Sequence, residues 1–200
     1  MTPSPRKTRV RQIILASASP RREEIFKKTG LPFRVIVSNY REEIDSAMNP
    51  RSLARLLSLK KAEAVAEKHK KALVIGADTF IVFKDRIMGK PHTKAEARRM
   101  LTMLTGRRHT VITGFTIIDG ERGKRVSRSE ETTVVLKKLT KKEIEGYVRT
   151  GEPLDKAGAY AVQGIGAAVV SRIEGDYFNV MGLPFSKLVE SLKGFGINIL

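Results

Sequence analysis

Apolar and polar residues alternate along this chain with two periods, and the change from one to the other marks out its elements. Ile13, Ile14, Leu15 and Ala16 form a short apolar run of the buried-strand type. It stops at Ser17-Ala18-Ser19-Pro20, and residues 21–29 then take a helical pattern ended by Gly30. Ser19 is a natural N-cap, and Pro20 suits the first turn, where its missing N–H would be unpaired in any case. Residues 33–37 read as strand. Asn49-Pro50 opens a second helix, with Leu53, Leu56, Leu57, Ala64 and Val65 close to a 3.6-residue repeat.

Residues 73–77 are a buried-type strand running into Asp78-Thr79, followed by the apolar run 80–83 and a turn at Lys84-Asp85. Gly89-Lys90-Pro91 closes that hairpin. Thr93 with Glu96, and Thr140 with Glu143, are capping-box patterns opening helices that end near Gly106 and Gly151. Two long alternating runs, 109–118 and 125–136, flank Asp119-Gly120 and predict a β-hairpin. A Gly-rich segment over 157–166, a strand over 167–173 and a closing helix over 184–193 complete the chain. Helices interleaved with strands and a hairpin predict an α/β or α+β fold with a mixed sheet. The pattern gives one folding unit over residues 13–200, preceded by a basic arm over 1–12.

Composition narrows the chemistry. The 200 residues contain no cysteine, which removes disulfides, Cys-ligated zinc, iron–sulfur clusters and thiol nucleophiles. With only 3 His, a metal here would be held by carboxylate oxygens. No apolar stretch reaches the ~20 residues of a membrane span, and the arm lacks the apolar core of a secretory signal, so the expectation is a cytoplasmic protein with no membrane partner. Lys and Arg outnumber Asp and Glu by 38 to 21, for a formal charge of +17, which calls for a polyanion or reflects a charged surface.

Several short constellations carry candidate chemistry. Ser17-Ala18-Ser19-Pro20-Arg21-Arg22 sets hydroxyls, a helix N-terminus and two guanidiniums at a strand end, an anion site. Asp78 follows an apolar strand at the carboxyl edge of a sheet, which makes it a metal-ligand or general-base candidate; an Asp starting a turn is the simpler reading. Glu42 and Glu43 follow a strand-like segment and offer it a partner carboxylate. Lys61 and Lys90 are candidate phosphate cations, or solvated lysines. In 151–164, small residues crowd around Gln163, whose amide suits a nucleobase edge. His109, with no partner near it in sequence, reads as structural. The common phosphate-loop, dinucleotide, zinc-protease and serine-hydrolase signatures do not occur.

The order SASPRR, EE, KKA, GADT, GKP, TGRRH with VITG, GEPLDKAGAYAVQG and GDYFNVMGLP closely resembles the Maf family of nucleotide pyrophosphatases, from Ile13 to the C-terminus. The resemblance implies an inosine-triphosphatase-like α/β fold: an elongated mixed β-sheet with flanking helices and a cleft between two lobes. It also implies a homodimer and a divalent metal cation (Mg²⁺, Mn²⁺ or Co²⁺). Family members cleave nucleoside triphosphates to monophosphate and diphosphate, and are associated with restraint of septum formation and with removal of modified nucleotides. Carried onto this sequence, Asp78 is the proton acceptor, Glu42 and Asp78 the metal ligands, and Lys61 and Lys90 the catalytic cleft lysines. Ser19, Arg21 and Arg22 grip phosphate, and Arg21, Thr79 and Gln163 set specificity. The DKAGAY…QG pattern resembles the branch acting on dTTP and UTP, with CTP or modified pyrimidine nucleotides as further candidates. Tyr40-Arg41 departs from the family pattern before Glu42 and adds Arg41 as a candidate phosphate contact. Two other readings stand beside the enzyme: a catalytically idle nucleotide sensor acting in cell division, and a nucleic-acid-binding protein, which lacks an aromatic stacking face.

Overall fold

The computed structural model describes residues 11–41 and 47–200. In chain order the elements are β1 (Ile13–Ala16), α1 (Pro20–Lys27), β2 (Arg34–Val35), α2 (Pro50–Ala66), β3 (Leu73–Phe83), β4 (Arg86–Met88) and α3 (Lys94–Leu104). They continue with β5 (Arg108–Asp119), β6 (Arg125–Leu136), α4 (Lys141–Arg149), β7 (Val170–Glu174), α5 (Tyr177–Met181) and α6 (Phe185–Lys193). Three short 3₁₀ segments lie between α4 and β7. The strands form one seven-stranded mixed sheet in the order β2-β1-β3-β5-β6-β7, with β4 added to β3. Helices flank both faces, as an α/β fold requires.

β3 organises the molecule. Its residues 73–76 pair in parallel with all of β1, and residues 81–83 pair antiparallel with β4. Its other side is covered by β5 from Leu73 to Val82. On the β1 side, residues 77–80 therefore lack a strand neighbour, and the sheet has a notch there. Alternation along β3 sends Ile75, Ala77 and Ile81 into the main core, while Val74 and Phe80 join smaller clusters on the α2 face.

α2 lies unusually close to this second face because the sheet presents glycines to it. A Cβ on Gly114 would sit 2.1 Å from the Ala54 carbonyl oxygen, and one on Gly76 would sit 2.5 Å from that of Ser58. The helix answers with its own small residues, burying Ala54, Ser58 and Ala62 alongside Leu53, Leu57 and Val65. Leu56 and Ala64, predicted on the apolar stripe, are only half-buried. The stripe is rotated because backbone-to-backbone approach, rather than bulky side-chain burial, sets the packing.

The pattern misjudges four other places. Asp78 does not follow a strand; it lies inside β3, because the apolar runs on either side of it belong to one 11-residue strand. The strand predicted over 167–173 is 3₁₀ over Gly164–Val169, and only then becomes β7. α5 is a short helix that no periodicity announced; its N-cap Asp176 accepts from the Phe178 N–H at 2.8 Å. Of the two capping boxes only Thr140/Glu143 is complete, since Glu96 accepts from His92 N–H rather than from Thr93. The last residues of the predicted arm are tied down: Arg11 pairs with Asp119 at 2.7 Å, and Gln12 O accepts from Leu73 N–H at 2.9 Å.

Candidate active site

A cavity of about 860 Å³ opens at the notch in β3 and reaches both faces of the sheet. On the α2 face, Asp78 and Lys61 meet in an ion pair between Lys61 Nζ and Asp78 Oδ1, with both side chains nearly buried. The close approach of α2 at Gly76 and Gly114 brings them together: Asp78 lies opposite Gly114 in the β3–β5 register, and Lys61 is adjacent to Ala62, which packs on Gly76. Among the described residues, Asp78 Oδ2 carries no hydrogen bond, so it stays open to an incoming proton or cation.

The β1–α1 connection supplies Ser17, Ala18, Ser19, Pro20, Arg21 and Arg22 to the cavity wall. Ser19 stands at the N-cap, but its side chain makes no capping bond; instead Ser17 Oγ accepts from Ser19 N–H at 3.1 Å. The start of α1 therefore faces the cavity with its first N–H groups and positive dipole end. Burial pulls the Arg21 guanidinium below its ordinary value, and the fields of Asp155, Tyr147 and Glu152 oppose that shift. Arg22 is tied largely to protein: Nε donates to Gly182 O at 2.8 Å, Nη2 to Thr79 Oγ1 at 2.9 Å and Nη1 to Ser17 Oγ at 3.4 Å.

Lys90 and His92 enter from the β4–α3 connection, and Asp155, Lys156 and Ala157 from the segment after α4. The latter is pinned by Gly158 N–H, which donates to Gly89 O at 2.9 Å. Gly158 has φ +67, and a Cβ there would meet Ile81 Cδ1 at 2.3 Å, so the segment needs glycine on both counts. On Thr79's side of the sheet Ile81, Val111, Val162, Val180, Met181 and Tyr160 line the cavity together with Arg22, whose Nη2 bonds Thr79. The cavity thus combines the cations Arg21, Arg22, Lys61 and Lys90 with an apolar wall on Thr79's face.

The structure brings together Ser19, Arg21, Arg22, Lys61, Asp78, Thr79 and Lys90 from the sequence-predicted set. Gln163 is half-buried and stands outside the wall, next to Val162, which lines it. The small residues around it meet Glu152 and Tyr147. Gly166 N–H and Ile165 N–H donate to the Glu152 carboxylate at 2.7 and 3.2 Å, and a Cβ on Gly166 would meet Tyr147 Oη at 2.4 Å. Glu42 and Glu43 lie outside the described residues, and Arg41 is exposed and not part of the wall. Pattern reasoning missed Thr113 and Asn179, which sit behind Thr79. Their signals were present, in VITG and GDYFNVMG, but their roles depend on strand register.

His109 is structural, as its sequence context indicates. It is 4% exposed, its Nε2 lies 2.7 Å from Tyr160 Oη, and burial lowers it to about 4. A lowered histidine is neutral in the native state while the unfolded chain takes up a proton below about 6.5. Stability is then lost as pH falls from about 6.5 towards 4, by at most about 3 kcal/mol, and is flat above that window. Urea titrations at pH 7 and 4.5 should show this loss in the wild type and a smaller one in His109→Gln; equal losses would remove the assignment.

Comparison with known proteins bears on the same residues. The family model described as Maf-like protein matches residues 12–195. The chain belongs to this family. Relatives named dTTP/UTP pyrophosphatase occur in Bacillus anthracis, at 47% identity over 190 residues, covering 95% of this chain and 98% of theirs. One from Methanosarcina barkeri is 49% identical over 191 residues, covering 95% and 97%. The matched span takes in every element lining the cavity, and the seven-stranded mixed sheet is the fold that membership in this family implied. Among the described residues no helix is long and apolar enough to cross a membrane.

Proposed function

We propose that this chain hydrolyses nucleoside triphosphates between the α and β phosphates, releasing monophosphate and diphosphate, with dTTP and UTP as substrates. The observation that carries this reading is the notch in β3. It sets a nearly buried Asp78–Lys61 pair in a cavity that holds the cations Arg21, Arg22 and Lys90, fit for a triphosphate, and an apolar wall of Ile81, Val111, Val180 and Met181, fit for a base. The relatives named dTTP/UTP pyrophosphatase support the choice of substrates.

In this reading the triphosphate lies against the start of α1, with Arg21, Lys61 and Lys90 around it. Water attacks the α phosphorus in line, the bond to the bridging oxygen breaks, and diphosphate leaves. Asp78 takes the water proton on Oδ2 while Lys61 holds Oδ1 in place. Arg22 acts by fixing α1 to Thr79 and to Gly182 O rather than by gripping phosphate alone.

The donor set suits a hard divalent cation, Mg²⁺, Mn²⁺ or Co²⁺. Asp78 lines the cavity with its Oδ1 held by Lys61, and such ions are commonly held by one or two carboxylates plus substrate phosphates. When bound, the ion would supply charge neutralisation at the phosphates. Glu42 is the further ligand that the family resemblance offers.

The test is product analysis by ion exchange after incubating the protein and Mg²⁺ or Mn²⁺ with dTTP, UTP, CTP, GTP and 7-methyl-GTP. Diphosphate with dTMP and UMP is the expected result. Release of inorganic phosphate, or no turnover with any triphosphate, would overturn the reading; preference for 7-methyl-GTP would overturn the substrate choice alone.

A further inference from the structure

Behind the cavity wall runs a chain of hydroxyls whose direction can be worked out. Thr79 Oγ1 and Thr113 Oγ1 are 2.9 Å apart, directly opposite each other in the β3–β5 register. Thr113 is fully buried, and its Oγ1 also lies 2.8 Å from the main-chain oxygen of Asn179 in α5. On its other side Thr79 Oγ1 lies 2.9 Å from Arg22 Nη2.

A hydroxyl has one proton to give and two lone pairs; a carbonyl only accepts and a guanidinium only donates. Asn179 O must therefore receive the Thr113 proton. Thr113 is then an acceptor towards Thr79, so the Thr79 proton is directed away from the cavity. Arg22 fills one Thr79 lone pair, and the other remains. The reverse polarity would point the Thr79 proton into the cavity and give up the bond to Asn179 O in a fully buried place, one hydrogen bond fewer.

We infer that Thr113 is a positioning residue that leaves the Thr79 hydroxyl only an acceptor towards the cavity, so that the site selects a pyrimidine base presenting an imide N–H. The inference rests on the proposed function. A bare lone pair repels phosphate and carbonyl oxygens, so the ligand group placed here must carry a proton. Ile81, Val111, Val180 and Met181 line the cavity on this face and suit a flat ring, while Arg22, the cation at Thr79, is held by Thr79, Gly182 O and Ser17. Uracil and thymine carry N3–H; cytosine N3 is itself an acceptor and would meet Thr79 lone pair to lone pair. Position 113 tunes this without touching the substrate, because a valine there would leave the Thr79 hydroxyl free to rotate and donate.

The experiment compares kcat/KM for UTP, CTP and 3-methyl-UTP, by diphosphate release, in the wild type, Thr113→Val and Thr113→Ser, with melting temperature checked for each. Wild type should prefer UTP and reject 3-methyl-UTP. Thr113→Val should lower the UTP:CTP ratio about ten-fold, mainly through a gain on CTP, and Thr113→Ser should stay within about two-fold. An unchanged ratio in a folded Thr113→Val protein, or equal losses on UTP and CTP, would overturn the inference. So would wild type that accepts 3-methyl-UTP as readily as UTP, a result needing no variant. Wild type inert towards every triphosphate would instead remove the proposed function, and this inference with it.

Discussion

Asp78→Asn is expected to lower kcat on UTP by about 10³-fold while changing KM by less than about three-fold. The substitution keeps the shape of the side chain and an oxygen for Lys61, but removes the group that takes the water proton. Of the groups proposed around the triphosphate, Lys61 is bonded to Asp78, and asparagine keeps an oxygen for it, so binding through the start of α1, Arg21 and Lys90 should be largely retained. The split between kcat and KM is therefore the informative quantity. A protein with near-wild-type turnover would show that the proton leaves by another route, and a loss confined to KM would make Asp78 a binding group only. Because the Asp78–Lys61 pair is nearly buried, melting temperature should be read beside the kinetics, so that a folding defect is not taken for a chemical one.

Gly114→Ala is the change expected to disturb the fold most for its size. Its backbone angles suit any residue, so the substitution tests packing and not strain. An added Cβ would lie 2.1 Å from Ala54 O and 2.2 Å from its carbonyl carbon. These are main-chain atoms of α2, so relief requires moving the helix. A cost of about 3 kcal/mol is expected, read as a melting temperature lower by roughly 10 °C. Since α2 carries Lys61, activity measured well below the melting point should fall as well. Gly146→Ala is the matched control: nothing lies within 4 Å of its added Cβ, and within α4 alanine favours helix by up to about 1 kcal/mol. Equal melting temperatures for Gly114→Ala and wild type would mean that the glycine contact does not set the height of α2.

Local chemistry was readable wherever a short stretch contains both the signal and its partner. Asn49 capping α2 through Arg51 and Ser52 N–H groups, the complete Thr140/Glu143 box and the β5–β6 hairpin all formed where the pattern put them. The ends of the Gly-rich segment were not readable, because Gly164 and Gly166 answer to Glu152 and Tyr147 twelve or more residues earlier. Periodicity also placed Leu56 on the buried face of α2, since a helical wheel counts apolar residues and cannot register two glycines in distant strands.

The sequence by itself determined which residues could do chemistry. With no cysteine and 3 histidines, the candidates are Glu42, Asp78 and the cations at Arg21, Arg22, Lys61 and Lys90, and the order of the motifs names the family. Only the tertiary structure decided how they combine. The end of β1 at Ala16 and the return of β4 at Ile81 leave β3 uncovered between them, and this gap makes a cavity from both faces of one sheet. Strand register then set Thr113 behind Thr79, and glycine contacts set Lys61 against Asp78. The physical reason is range: capping and turn formation act over a few residues, whereas register and packing distance are fixed by contacts between segments far apart in the chain.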